Sequence, residues 1–153
     1  MLRIDIIAAG RVKSGPYRSL WDEYEKRLTG CKLRLIEIES RHTDPVSAQQ
    51  DEQNKIVEQI DPSAYVIAMD ERGKPMRSLD FAKKLEDLET HGGGHVQFII
   101  GGADGLLDAV RGRAQLLLNF GVQTWPHRLV RVMLLEQIYR AQQIRNRHPY
   151  HRE

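Results

Sequence analysis

The chain has one cysteine, Cys31, which excludes an internal disulfide framework and any multi-cysteine metal site and fits a reduced compartment. It has no apolar run of membrane-spanning length. The N-terminal stretch MLRIDIIAAGRVKSG is only faintly signal-like, because its apolar run is short and Asp5 interrupts it; it reads better as a first strand. A cytoplasmic protein with no membrane attachment is expected. Internal repeats, linkers and low-complexity segments are also missing, and the length fits one domain, residues 1–153. With 41% hydrophobic and 29% charged residues the chain can bury a core under an ordinary polar surface, which excludes a disordered segment.

A strong charge of one sign is lacking too, since the net charge is +2. Its distribution is nevertheless uneven. Residues 124–153 contain no lysine but carry Arg128, Arg131, Arg140, Arg145, Arg147 and Arg152 against Glu136 and Glu153, while residues 1–123 are slightly acidic. The forked guanidinium contacts phosphate with fixed geometry and stacks on bases, which lysine does less well. A basic end on a near-neutral body suggests a polyanionic partner. Charge alone suits a solvated helix face equally well.

Short apolar runs alternate with helical patterns. Strands are expected over 3–8, 32–39, 64–69, 96–100 and 115–120, and helices over 17–28, 47–60, 78–89, 106–113 and 127–146. Pro16 suits the first turn of the first helix, and Ser47 with Gln50 has the spacing of a capping box. This order implies an α/β domain with a mostly parallel sheet and helices on both faces. Ligands bind such domains at the carboxyl ends of the strands. The loops there are 70–77, 101–105 and 121–126.

Each loop has an ordinary reading beside a functional one. Gly101-Gly-Ala-Asp-Gly105 follows a buried strand and opens a helix. A tight turn explains one or two glycines; three in five residues favour a ligand loop. The spacing is not that of a dinucleotide fingerprint, and no Lys-Ser or Lys-Thr makes it a P-loop. The run from Met69 to Pro75 is, taken alone, a common polar turn, but beside the glycine loop it lets Met69 line a pocket. Trp125 fits core packing, and His127 fits a helix cap. The tail His148-Pro-Tyr-His-Arg-Glu153 is unusual for a chain end, because it offers an aromatic ring, two imidazoles and a guanidinium for stacking and phosphate contact. His148 and His151 lack a further ligand set, so no metal is expected.

Four ordered motifs carry a resemblance: Phe98-Ile-Ile-Gly-Gly-Ala-Asp-Gly105, Trp125-Pro-His-Arg-Leu-Val-Arg131, Leu135-Glu-Gln-Ile-Tyr-Arg-Ala141 and the terminal His148-Pro-Tyr-His-Arg-Glu153. Together they resemble the RlmH family, the bacterial ribosomal large-subunit pseudouridine methyltransferases of the SPOUT superfamily, along the whole chain. The resemblance implies a C-terminal trefoil knot and S-adenosylmethionine bound bent within it, held largely by backbone groups. It places the cofactor contacts on Met69, Gly101, Phe120, Gly121, Val122, Gln123, Thr124 and Trp125. It further implies a homodimer in which one subunit's tail completes the other's site, and methylation at N3 of a pseudouridine in a 23S rRNA hairpin loop of the assembled ribosome. The chain departs from the family where Leu118-Asn-Phe-Gly-Val-Gln123 replaces a Ser-rich run, and around Arg77-Ser-Leu-Asp80.

Methyl transfer from a sulfonium is an in-line displacement, in which most of the work is positioning in a dry site. N3 lies between two carbonyls, and a nearby arginine stabilises the anion left when its proton departs. The base is left open among His127, Tyr150 and His151. Arg152 and Tyr150 are expected to hold the target nucleotide, and Arg128, Arg131, Arg145, Arg147 and His148 to contact the RNA. Three other readings stand beside this one: an RNA-binding protein without catalysis, a nucleotide- or phosphate-binding hydrolase, and a SPOUT methyltransferase with another RNA target.

Overall fold

The computed structural model describes residues 1–152; Glu153, which closes the terminal motif, lies outside the described residues. The chain runs β1 (Leu2–Ala9), α1 (Pro16–Arg27), β2 (Cys31–Ile38), α2 (Pro45–Gln59), β3 (Tyr65–Pro75), α3 (Ser78–Thr90), β4 (His95–Ile100), α4 (Asp108–Arg111), β5 (Leu116–Asn119) and α5 (His127–Arg145). The strands form one sheet in the order β2-β1-β4-β3-β5, with every pairing parallel.

Helices cover both faces, which is why the central strands read as nearly continuous apolar runs. On one face Ile4, Ile6 and Phe98 pack against Trp21 of α1, Phe81 and Leu85 of α3, and Leu134, Leu135 and Ile138 of α5. On the other, Ile7, Val66 and Ile99 pack against Ile56 of α2 and Val110 of α4. Asp5 is the buried charge of β1. It accepts hydrogen bonds from Arg34 at 3.0 and 3.1 Å and from Gln97 at 2.9 Å, and lies 2.8 Å from His95 Nε2. Burial pushes its carboxyl upward, but the hydrogen bonds from Arg34, Gln97 and His95 outweigh this and hold it below its ordinary range.

The strand order dictates the layering. The steps from β1 to β2 and from β3 to β4 go one way along the sheet, with α1 and α3 on one face; the steps from β2 to β3 and β4 to β5 go the other way, with α2 and α4 on the opposite face. All four crossovers therefore share one hand. The chain turns in opposite directions after β1 and β4, so a crevice opens at the carboxyl end of the sheet.

α4 is shorter than expected, Asp108–Arg111 rather than 106–113, and two other boundaries differ from the sequence expectation for local reasons. α2 starts two residues before Ser47, because Asp44 is its cap: Asp44 Oδ2 accepts the Ser47 N–H at 2.8 Å and Pro45 occupies the first turn. β3 continues past Met69 to Pro75, where a loop was expected. Its register against β5 shifts, so that Met69 and Lys74 both face Leu118 and the residues between bulge from the ladder. Gly73 makes this possible, since a Cβ there would sit 2.5 Å from the Leu117 carbonyl carbon.

Candidate active site

The bulge of β3 and the loops after β4 and β5 converge on a cleft of about 290 Å³, at the lower edge of the scale of small-molecule sites. Met69, Asp70 and Glu71 form one wall, Ile100 to Leu106 a second, Leu118 to Gly121 with Gln123, Thr124 and Trp125 a third, and His127 and Val130 of α5 close the end. Seven of the eight residues expected to hold a cofactor thus meet in one place. The eighth, Val122, is fully exposed at 100%, so its side chain offers nothing to the cleft.

The loops are built to keep their backbones rigid. In the glycine loop the Gly105 N–H returns to the Gly102 carbonyl at 3.0 Å, with φ of 76° at Gly105. A Cβ on Gly101 would stand 2.9 Å from Leu106 Cδ2 and 3.0 Å from the Gly105 carbonyl carbon. The missing side chain at Gly101 therefore makes room for the loop's own return rather than for a ligand. From α2, Gln49 donates to the Asp104 carbonyl at 3.0 Å and Gln53 accepts the Leu107 N–H at 2.8 Å, bracing the loop from outside. In the loop after β5, Asn119 donates to the Gly73 carbonyl at 2.6 Å and accepts the Gly121 N–H at 3.1 Å. Trp125 Nε1 donates to the Phe120 carbonyl at 3.2 Å, which ties the two ends of that loop together. Trp125 is 37% exposed at the mouth, so it is not a core residue. Asn119, Gln49 and Gln53 were not legible as site residues, because their roles depend on partners distant in sequence.

His127 opens α5, but Pro126 is the cap and no side chain caps the helix. The imidazole instead sits between the cleft and Gly10, where a Cβ would lie 3.8 Å from Nε2. Burial, then the charges of Arg128 and Arg131, lower its pKa. At neutral pH it is an uncharged ring able to accept a proton.

Arg131 corrects an expectation. The basic C-terminal stretch points to a phosphate contact, but the side chain is 3% exposed. It donates to Glu37 Oε2 at 2.7 Å and to the carbonyls of Ala9 and Gly10 at 3.3 and 3.2 Å. Glu37 also accepts the Val12 N–H at 2.8 Å. Arg131 is thus a buried clamp between α5 and the loop after β1, out of reach of RNA. The other expected RNA contacts are Arg128, Arg145, Arg147 and His148, and all are exposed. Arg128 lies at the cleft end of α5, and Arg145 lies about 25 Å further along the helix at 1.5 Å per residue, paired with Glu89.

The tail folds back on its own helix. The Tyr150 hydroxyl donates to Glu136 at 3.0 Å, and its ring stands edge-on to Tyr139 with centroids 4.8 Å apart. Arg140 lies over the Tyr150 ring at 4.8 Å and 3.2 Å from His151 Nδ1. Burial, then Glu136, keep the Tyr150 phenol protonated well above its ordinary value, so it acts as a donor. Glu136 is about 13 Å along the helix from His127, so Tyr150 and His151 do not line the cleft of their own chain. Arg152 is exposed.

Elsewhere, burial pushes the Cys31 thiol up to about 11, which leaves it unreactive. Among the described residues no group of three or more His, Cys, Asp or Glu is placed to hold a metal ion, and no helix is long and apolar enough to cross a membrane. A groove of about 550 Å³ between α1, α3 and α5 is lined by Leu20, Tyr24, Met76, Phe81 and Met133 and shares Leu118 to Gly121 with the cleft.

The geometry agrees with what the chain is similar to. A family described as "Predicted SPOUT methyltransferase" matches residues 2–151. The Ribosomal RNA large subunit methyltransferase H of Rhodospirillum centenum is 46% identical over 152 residues, covering 99% of both chains. Its counterpart from Bradyrhizobium diazoefficiens is 44% identical over 159 residues, again covering 99% of each. Among solved structures, a probable methyltransferase from Bordetella pertussis superposes with a TM-score of 0.55 at 15% identity, over 92% of this chain and 96% of that one. A probable methylase family protein from Haemophilus influenzae gives 0.54 at 16% identity, over 94% of this chain and 66% of that one. These two likenesses concern the fold. The full-length family match and the curated relatives carry the assignment: the chain belongs to the SPOUT methyltransferase family.

Proposed function

We propose that this protein transfers a methyl group from S-adenosylmethionine to N3 of a pseudouridine in a hairpin loop of large-subunit ribosomal RNA, working as a homodimer on the assembled ribosome in the cytoplasm. The observation that carries this reading is the cleft itself: three braced backbone loops beside the half-buried His127, in a chain whose full-length relatives bear the name of large-subunit rRNA methyltransferases.

The residues fit the cofactor. Met69, Ile100, Leu118 and Phe120 offer apolar faces for an adenine. The backbone groups of the two glycine-containing loops offer donors and acceptors at close approach. Glu71 and Asp104 bring negative charge suited to a cationic ligand. Bound there, the cofactor supplies a methyl group on a positively charged sulfur. The chain's own work is to hold the pyrimidine in line with that group and to take the N3 proton as the N–C bond forms. His127 is the group of the right state and place to accept it. Trp125 and Phe120 restrict water at the mouth.

The path after β5 supports the knot. It leaves an edge strand and reaches His127 beside Gly10 at the carboxyl end of β1, three strands away. The apolar groove next to the cleft supports the dimer: a second copy seated there would cover Leu20 and bring its own tail toward Phe120 and Gly121. That arrangement would give Tyr150, His151 and Arg152 a place at the partner's cleft.

Calorimetry with S-adenosylmethionine, followed by transfer of its labelled methyl group to ribosomes lacking the modification, tests the reading. Binding and incorporation into large-subunit RNA are expected. A protein that binds RNA but gives no heat with the cofactor would be a non-catalytic binder.

A further inference from the structure

The loop after β1 holds cations that none of the roles above uses. Arg11 and Lys13 flank Val12, which is buried at 7%, so the two charged side chains project outward. The backbone between them is fixed. The Gly10 N–H donates to the Ile38 carbonyl at 2.7 Å, the Val12 N–H donates to Glu37 at 2.8 Å, and Arg131 holds the Ala9 and Gly10 carbonyls. Arg128, exposed on the first turn of α5, lines the same small depression as Val12, Tyr17 and Arg18. Among the described residues Arg11, Lys13 and Arg128 have no ion-pair partner. Of the nearby carboxylates, Glu37 is engaged by Arg131, while Glu52 and Asp104 line the depression on its glycine-loop side.

We infer that Arg11, Lys13 and Arg128 form a preorganised phosphate-binding rim that lays an RNA strand across the carboxyl end of β1, so that a base passes over Gly10 to His127. This deepens the methyltransferase reading and rests on it. Like charges gathered on one edge repel one another; a polyanion relieves that repulsion and releases counterions as it binds. The rim adjoins the cleft, because Gly10 and His127 line one depression together with Gly102 to Gly105. By contrast, Arg145 sits at the far end of α5 and is tied to Glu89.

The test is the double variant R11A/K13A, with R11E/K13E as a second. Both side chains are exposed and the loop is held by backbone bonds, so the thermal midpoint and the affinity for S-adenosylmethionine should match the parent chain. Affinity for a fluorescein-labelled oligouridine is measured against salt. The slope of log K on log salt should flatten by about 1.4, at roughly 0.7 per lost phosphate contact on a single strand, and KM for undermodified ribosomes should rise about tenfold. An unchanged slope or an unchanged KM in both variants overturns the inference. If the parent chain methylates no ribosome while R11A/K13A still loses the slope, the rim stands as an RNA surface and the functional reading fails.

Discussion

Arg131 and Glu37, 94 positions apart in sequence, meet at 2.7 Å beneath the carboxyl ends of β1 and β2. Through this pair the first turns of α5 are bolted to the loop after β1. His127, one helical turn before Arg131, takes its place at the cleft from that attachment. A residue that reads in sequence as one more basic side chain is the anchor on which the site's geometry depends.

Arg131→Ala leaves Glu37 and two carbonyls without their donor in a buried setting. It should destabilise the fold by on the order of 3 kcal/mol, lowering the thermal midpoint by roughly 6–12 °C for a domain of this size. Glu37→Gln, which keeps an acceptor for the Val12 N–H, should cost less. A midpoint for Arg131→Ala within measurement error of the parent chain would remove the clamp.

Gly101→Ala drives a methyl into Leu106 and the Gly105 backbone. The loop must open, so S-adenosylmethionine affinity should fall about tenfold or more, an effect of at least 1.4 kcal/mol. Gly102→Ala, whose Cβ would meet its nearest neighbour 3.4 Å away at the tip of the Glu52 side chain, should lose less. Equal calorimetric affinities for the two variants would contradict the packing argument.

Asp5 makes stability depend on acid. Its folded pKa lies below the unfolded value of about 3.9, because Arg34, Gln97 and His95 outweigh the effect of burial. The unfolded chain therefore takes up the proton first. This contribution is fully present above that unfolded value and is lost as pH falls through the lower folded one. Asp5→Asn should be less stable at neutral pH by on the order of 2–3 kcal/mol and should show a shallower acid limb in urea midpoints measured against pH. Parallel pH profiles for the two chains would contradict the assignment.

Removing residues 148–153 takes away Tyr150's hydroxyl from Glu136 and its ring from Tyr139. The loss should be modest, about 1–2 kcal/mol, leaving a folded chain that still binds the cofactor as a dimer by calorimetry and light scattering. Methyl transfer to ribosomes should disappear. Full activity of the truncated chain would end the tail's role.

All ten elements were legible in the sequence, and the physical reason is burial. Val96 to Ile100 is covered on both faces and reads as a mostly apolar run, while the stripe from Leu134 to Ala141 follows the helical period. What stayed hidden depended on distant pairing. The extension of β3 to Pro75 needs Leu118 and Asn119 of β5, which no local pattern around Asp70 announces. The burial of Arg131 needs Glu37. The start of α2 was misplaced because Ser47 and Gln50 mimic a capping box, whereas Asp44 supplies the oxygen. At the site, the loops were legible from glycines at strand ends, but the props Gln49, Gln53 and Asn119 were not. Val122 followed its neighbours in the motif and turned out to face solvent.

The most direct measurement is transfer of a labelled methyl group from S-adenosylmethionine to ribosomes lacking the modification, with nuclease digestion and mass spectrometry to locate the product nucleoside. The account predicts one N3-methylated pseudouridine in a hairpin loop of the large-subunit RNA, and none when that position is uridine. Methylation of a different nucleotide, or equal transfer to the uridine form, would contradict it.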